Sequence, residues 1–199
     1  MENLRRYVSQ EAQSYVAPPA KEVAAALQLG DRAPSSAKLP FPTGKPTIVV
    51  FLRHCGCPFA EKTFRSLAEL SDKHRSIRCI AVSHSSEDTT ERWVEEVGGE
   101  WEVSVLVDEA RDLYAAWGLG LGSYWSVWNP RIIASAVRLS QTDRIANRTT
   151  ESGSRWQTGG AFAVDALGVV RWAQVAGSAD EVPDLRMALV ALRVPGAGR

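Results

Sequence analysis

The sequence predicts an α/β protein with a central mixed β-sheet flanked by helices. Two observations support this fold class. Apolar, β-branched segments alternate with segments whose apolar residues recur at helical spacing, which is typical of a parallel sheet covered by helices. Two later strands are separated by the hairpin-sized loop Ala166-Leu167-Gly168. At 199 residues, 45% hydrophobic and 23% charged, the chain has the composition of one globular domain with additions.

Residues 1–30 are predicted to form an N-terminal helical extension. Its apolar residues at helical spacing are Leu4, Tyr7, Val8 and Tyr15 in a first helix, and Val23, Ala26 and Leu27 in a second. Pro18 and Pro19 end the first helix, and Gly30 ends the second. The domain proper is then residues 31–199, and it opens with a loop over residues 31–46 that is rich in proline, glycine and serine.

Three strands, each followed by a helix, are predicted to form the first part of the core. The strands are residues 47–52, 77–83 and 103–107, and the helices begin at Pro58, near Ser85 and near Asp108. Residues 161–165 and 169–174 form the hairpin, and Leu185, Leu189 and Leu192 mark a final helix. This order, β-α-β-α-β followed by a hairpin and a helix, is that of a thioredoxin-like fold.

An insertion is predicted over about residues 118–157, which the minimal fold does not need. Residues 124–139 have the pattern of a helix, and residues 140–155 are polar. Three tryptophans, Trp125, Trp128 and Trp156, lie in or beside it. Two interpretations stay open: the tryptophans pack the insertion onto the core, or they wall an apolar substrate pocket.

Composition excludes several function classes. The formal net charge is zero, with 23 basic and 23 acidic residues, which argues against nucleic acid or an anionic membrane as partner. The first residues contain no apolar stretch of signal-peptide length, so we expect a cytoplasmic protein. The three cysteines are too few for a disulfide scaffold, and with the three histidines they show no zinc-ligand spacing. We therefore expect no metal and no cofactor.

The candidate chemistry lies in the segment FLRHCGCPF, residues 51–59. Cys57 directly precedes Pro58, and proline is favoured in the first turn of a helix. Cys57 is therefore expected at the helix cap, where unpaired N–H groups and the helix dipole favour a thiolate over a thiol. Arg53 is a candidate cation, and His54 is either a proton acceptor or a structural residue.

The other interpretation of each thiol is structural. Cys57 could be an inert, half-buried cysteine. Cys55 is interpreted as a packing residue, because a Cys-x-Cys disulfide closes a very tight ring. Cys79 lies among apolar residues in a predicted strand and is assigned to the core.

Three separated motifs resemble the peroxiredoxin-like 2 (AhpC/TSA-type) family of the thioredoxin-like superfamily. They are GDRAP at residues 30–34, VFLRHCGCPF at residues 50–59 and WQTGGAFAVD at residues 156–165. The resemblance covers roughly residues 28–192. It implies that Cys57 is the redox-active cysteine and that Arg53 is the arginine that accompanies it. It also implies reduction of peroxides, quenching of oxidants or, as in one branch, reduction of prostaglandin endoperoxides with a thioredoxin-type donor.

The sequence departs from the family pattern at three positions. Many relatives carry a second cysteine three residues after the first, where this chain has Ala60. Peroxiredoxins proper have a threonine and an arginine where this chain has His54 and Gly159. Arg53 and Arg155 are the candidates to replace the groups that polarise the peroxide bond.

The leading hypothesis is a one-cysteine peroxiredoxin-like thiol oxidoreductase, with Cys57, Arg53 and His54 as catalytic candidates. The substrate-binding candidates are Trp125, Trp128, Arg155, Trp156 and Gln157. One alternative is a repurposed enzyme that acts on an apolar metabolite by acid–base or nucleophilic catalysis. Another is a non-enzymatic redox-sensing module. For the leading hypothesis we expect a small-molecule oxidant and an external thiol reductant of the thioredoxin or glutathione type, and we consider a homodimer.

Overall fold

A computed structural model describes residues 11–194. The elements in chain order are β1 (Thr47–Phe51), α1 (Pro58–Lys73), β2 (Arg78–Ser83), α2 (Glu87–Glu96), β3 (Val103–Val107), α3 (Asp112–Ala116), α4 (Tyr124–Val127), α5 (Pro130–Thr142), β4 (Gly160–Val164), β5 (Val170–Val175) and α6 (Leu185–Ala191). Residues 11–13 are also helical.

The strands form one five-stranded sheet in the order β3-β2-β1-β4-β5. β1 pairs in parallel with β2, and β2 pairs in parallel with β3. β4 runs antiparallel to β1, and β5 antiparallel to β4. The mixed sheet confirms the predicted fold class. It also places the turn that follows β1 at the edge where all three parallel strands end.

Alternate residues of the strands belong to two separate hydrophobic clusters. Ile48 and Val50 belong to a cluster with residues of α1, α2, α5 and α6. Val49 and Phe51 belong to another, together with Tyr114, Trp117 and residues of the loop before β1. Continuous burial of β1 follows from this arrangement, and it explains the unbroken apolar run that predicted the strand.

The predicted second N-terminal helix, around Val23 to Leu27, is wrong. Residues 17–28 are irregular. Ala24 N donates to Ala115 O over 2.9 Å, and Lys21 pairs with Asp112. The segment therefore satisfies polar groups on α3 instead of closing helical turns of its own. Of the residues that predicted the first helix, Leu4, Tyr7 and Val8 lie outside the described residues.

The helix predicted over residues 124–139 consists of two helices, α4 and α5. Asn129 Oδ1 accepts hydrogen bonds from the backbone N of Arg131 (2.9 Å) and Ile132 (3.1 Å), and Pro130 lies in the first turn of α5. A capping asparagine followed by proline starts a new helix. Residues 143–159 then return to the sheet with little regular structure.

Candidate functional site

Cys57 is the N-cap residue of α1, as predicted, with Pro58 in the first turn. Its backbone N donates to His54 O over 3.1 Å, and its carbonyl accepts from Glu61 N over 3.1 Å. The turn that carries these bonds connects the end of β1 to the helix. The side chain thus starts where the helix presents its unpaired N–H groups.

Gly56 allows this turn to touch the irregular segment 143–159. Its φ is +102°, and a Cβ atom there would lie 2.8 Å from Thr149 O. Gly56 O also accepts a hydrogen bond from Arg148 N over 3.0 Å. Glycine is required for both the backbone conformation and the close approach, so the turn and the segment are fixed together.

Cys57 borders a cavity of about 490 Å³. Arg53, His54 and Arg155 also line this cavity. The insertion supplies an apolar wall, made of Val127, Trp128, Ile132, Ile133, Ala136 and Val137. Cys57 is only 5% exposed, so a reagent must reach it through the cavity.

The structure brings only two of the five predicted substrate-binding residues to the cavity, Trp128 and Arg155. Trp125 is 71% exposed and lies outside the lining. Trp156 Nε1 donates to Tyr15 O over 2.8 Å. Gln157 is buried, and its Nε2 donates to Leu119 O (3.1 Å) and Gly120 O (3.0 Å), so its side chain holds backbone together.

Arg53 brings a buried positive charge to the cavity. It is 9% exposed, and its Nη2 donates to Arg155 O over 2.7 Å. Its Nε is buried without a hydrogen-bond partner, and none of the ion pairs within residues 11–194 includes it. A buried cation without a carboxylate partner can stabilise negative charge that forms in the cavity.

Gly159 explains how Arg53 fits. A Cβ atom at Gly159 would lie 2.8 Å from Phe51 O and 3.6 Å from Arg53 Cγ. The space that a larger residue would need is thus occupied by β1 and by the stem of Arg53. Because position 159 is a glycine and not an arginine, the side chain of Arg53 has room beside it.

Arg155 is held by the N-terminal segment, which sequence analysis did not connect with the site. Its Nη2 donates to Glu11 Oε1, and its Nε donates to Ser14 Oγ over 3.0 Å. Its guanidinium lies 4.6 Å above the ring of Tyr15, which in turn stacks on Trp128 with ring centroids 5.5 Å apart. These contacts join residues separated by more than 100 positions, and no local pattern indicates them.

His54 is buried and uncharged at neutral pH. Burial, followed by the neighbouring charges of Arg53 and Arg155, lowers the pKa of its ring well below 6.5. Its Nδ1 lies 3.1 Å from Cys55 O and 3.2 Å from Thr150 Oγ1. A neutral imidazole that borders the cavity has one nitrogen lone pair that can accept a hydrogen bond there.

The other two cysteines lie outside the lining of this cavity. Burial raises the pKa of Cys55, whose Sγ lies 3.7 Å from Ser83 Oγ. Burial also raises the pKa of Cys79, in β2, to about 12. Both are therefore thiols at neutral pH, as packing residues would be. All three cysteines are free.

Neither a metal-binding cluster nor a membrane-spanning helix occurs within residues 11–194. No cluster of three or more His, Cys, Asp or Glu side chains in this part of the chain could hold a metal ion. The same residues include no helix with the length and apolar character needed to cross a membrane.

A family model described as "AhpC/TSA antioxidant enzyme" matches residues 63–177, more than half of the chain. The matched segment begins after Cys57, inside α1, and extends past β5, so it does not include the thiol itself. No curated protein matches the sequence.

Solved structures with the same fold include several peroxiredoxin-like proteins. A peroxiredoxin-like protein from Aquifex aeolicus is 15% identical, with a TM-score of 0.57 over 88% of this chain and 91% of that one. A cysteine-to-serine variant of peroxiredoxin 6 of Arenicola marina is 15% identical, with a TM-score of 0.59 over 83% and 72% of the two chains. A thiol peroxidase from Chromobacterium violaceum is 17% identical, with a TM-score of 0.56 over 90% and 94%. At these identities the likeness concerns the thioredoxin-like fold.

Proposed function

Since the chain belongs to the AhpC/TSA antioxidant enzyme family, we propose that it is a one-cysteine thiol oxidoreductase that reduces peroxides through Cys57. One observation carries this proposal: Cys57, at the N-cap of α1, shares a cavity with a buried arginine and a neutral histidine. Nucleophile, cation and proton acceptor are the three groups that thiol attack on a peroxide needs.

In the proposed reaction the sulfur of Cys57 attacks one oxygen of the peroxide. An S–O bond forms, the O–O bond breaks, and the other oxygen leaves as an alkoxide. His54 relays the proton of the Cys57 thiol to the leaving oxygen as the O–O bond breaks, so an alcohol is released and the imidazole is neutral before and after the step. Arg53 stabilises the negative charge on sulfur before the attack and on oxygen during it. The sulfur ends as a sulfenic acid, oxidised by two electrons, and the peroxide is reduced.

An external thiol completes the cycle. Its sulfur attacks the sulfenic acid of Cys57, and a mixed disulfide forms as water leaves. A second external thiol attacks that disulfide and releases the Cys57 thiol. The reductant is external because Ala60 stands where a resolving cysteine would be and because the environments of Cys55 and Cys79 keep both protonated.

Intact-mass measurement after dilute cumene hydroperoxide tests the assignment. The wild-type protein should gain one oxygen, and an added thiol should remove it. Cys57→Ser should gain none and should lose peroxide turnover. Cys55→Ser is the matched control, because it removes a neighbouring thiol that does not line the cavity, and it should keep turnover. Unchanged turnover in Cys57→Ser would exclude this mechanism.

The apolar wall favours a bulky substrate and also supports a second candidate function. A cavity of about 490 Å³ lies in the usual range for organic ligands. Trp128→Ala should raise KM for cumene hydroperoxide but not for hydrogen peroxide, whereas Trp125→Ala, which changes an exposed ring outside the lining, should alter neither. The second candidate is acid–base or nucleophilic catalysis on an apolar metabolite. Metabolite turnover without any oxidant or reductant would favour it over peroxide reduction.

A further inference from the structure

Thr150 joins the two polar groups on which the proposed function depends. It is fully buried, in the irregular segment 143–159. Its Oγ1 lies 3.2 Å from His54 Nδ1, and it accepts a hydrogen bond from Arg155 Nη2 over 2.9 Å. Its backbone N donates to Glu11 Oε2 over 2.7 Å, which fixes the residue from the other side.

The carbonyl of Cys55 indicates which nitrogen of His54 carries the proton, and Thr150 supplies the second acceptor for that proton. Nδ1 lies 3.1 Å from Cys55 O, and a carbonyl oxygen can only accept a hydrogen bond. A deprotonated Nδ1 would face the lone pairs of that oxygen. Nδ1 is therefore the protonated atom, and its N–H is shared between Cys55 O and Thr150 Oγ1. Since the ring is neutral, Nε2 carries the free lone pair.

We propose that Thr150 is a positioning residue that holds His54 as the Nδ1–H tautomer, with Nε2 left to exchange protons with Cys57. The hydroxyl oxygen has two lone pairs, which accept from His54 and from Arg155. The role of Nε2 rests on the proposed function, whereas the tautomer does not. Without the hydroxyl, the Nδ1–H would keep only the Cys55 carbonyl, and Arg155 would lose one of its acceptors.

Nitrogen-15 NMR of histidine-labelled protein tests the tautomer directly. At pH 7, His54 of the wild type should show a protonated Nδ1 and an unprotonated Nε2. Thr150→Val, which replaces the hydroxyl with a methyl group, should give a mixture of tautomers and slow the oxidation of Cys57 by cumene hydroperoxide about tenfold, a part of what acid–base catalysis contributes. Thr150→Ser should restore both the spectrum and the rate to within about twofold of wild type.

Thr47→Val is the matched control. Thr47 is also fully buried, and its hydroxyl donates to Lys45 O over 3.0 Å at the far end of β1. Spectrum and rate should both stay as in wild type. An Nε2–H tautomer in the wild type would overturn the proposal, as would a Thr150→Val protein with wild-type spectrum and rate. Should Thr150→Val fail to fold, Thr150→Ala removes the same hydroxyl. If the wild type reduces no peroxide, the spectra still decide the tautomer, and only the proposed function falls.

Discussion

The free energy of unfolding should fall as the pH falls. Part of this fall should come from His84, so His84→Gln should make it smaller. His84 is 4% exposed, and its Nε2 accepts a hydrogen bond from Ser154 N over 3.1 Å. Burial, against a smaller opposing effect of the Ser154 carbonyl, lowers the pKa of the ring from 6.5 to about 4. The folded protein therefore keeps this imidazole neutral in a pH range where an unfolded chain would protonate it.

The size of the effect follows from proton linkage. Between pH 6.5 and about 4 the unfolded chain binds a proton at His84 that the folded chain does not, so the free energy of unfolding falls as the pH falls. Each pH unit in this window is worth about 1.4 kcal/mol. From pH 7 to pH 5 the contribution of His84 to stability should fall by about 2 kcal/mol. His54, whose pKa is also lowered, adds a loss of the same sign.

Urea unfolding at pH 7 and at pH 5 measures this loss. His84→Gln should lose about 2 kcal/mol less than wild type between the two pH values, because its side chain cannot be protonated. It keeps an acceptor for Ser154 N, although its stability at pH 7 can differ from that of wild type. If His84→Gln loses as much unfolding free energy between the two pH values as wild type does, His84 does not resist protonation in the fold.

Two further substitutions test contacts around the cavity. Gly159→Ala would place a methyl group 2.8 Å from Phe51 O, so it should cost about 2 kcal/mol of unfolding free energy. Gly120→Ala, whose methyl group would meet nothing closer than 3.5 Å, is the control. If the two variants have equal free energies of unfolding in urea, Gly159 does not lie this close to Phe51 O. Glu11→Gln removes a charge from a pair that is 30% and 11% exposed, and it should cost about 1 to 2 kcal/mol. The difference from wild type should shrink in high salt, and a salt-independent difference would argue against the ion pair with Arg155.

Local sequence pattern predicted the elements whose stabilising contacts repeat along the chain. β1 was predicted as residues 47–52 and is Thr47–Phe51, because burial on both faces produces an apolar run that needs no knowledge of its neighbours. The predicted helix at Val23 failed for the opposite reason. Its spacing is helical, but its polar groups pair with α3, about 90 residues away. A pattern within one segment cannot show such a partner.

The residues of the candidate site also fall into those that a local sequence pattern identifies and those that it does not. Arg53, His54 and Cys57 were identified together because one short turn carries all three. Thr150 was not identified, since a single threonine in a polar stretch has no distinctive spacing. Trp125 and Trp128 could not be told apart, because the break between α4 and α5 decides which ring faces the cavity. That break depends on the N-cap residue Asn129. The apolar residues of this segment keep helical spacing on both sides of it, so their pattern predicts one continuous helix.

The two arginines at the cavity differ in the charge they can offer. Arg155 is paired with Glu11 and packed on Tyr15, so much of its charge is compensated by the N-terminal segment. Arg53 has a carbonyl as hydrogen-bond partner and lies in no ion pair of the described residues. An anion that forms in the cavity would therefore be stabilised mainly by Arg53. Arg155 would affect such an anion indirectly, because its carbonyl orients the Arg53 guanidinium. The positive charge of Arg53 thus belongs to the segment of residues 51–59 that the sequence identified. Its orientation depends on Arg155, which lies about 100 residues further along the chain.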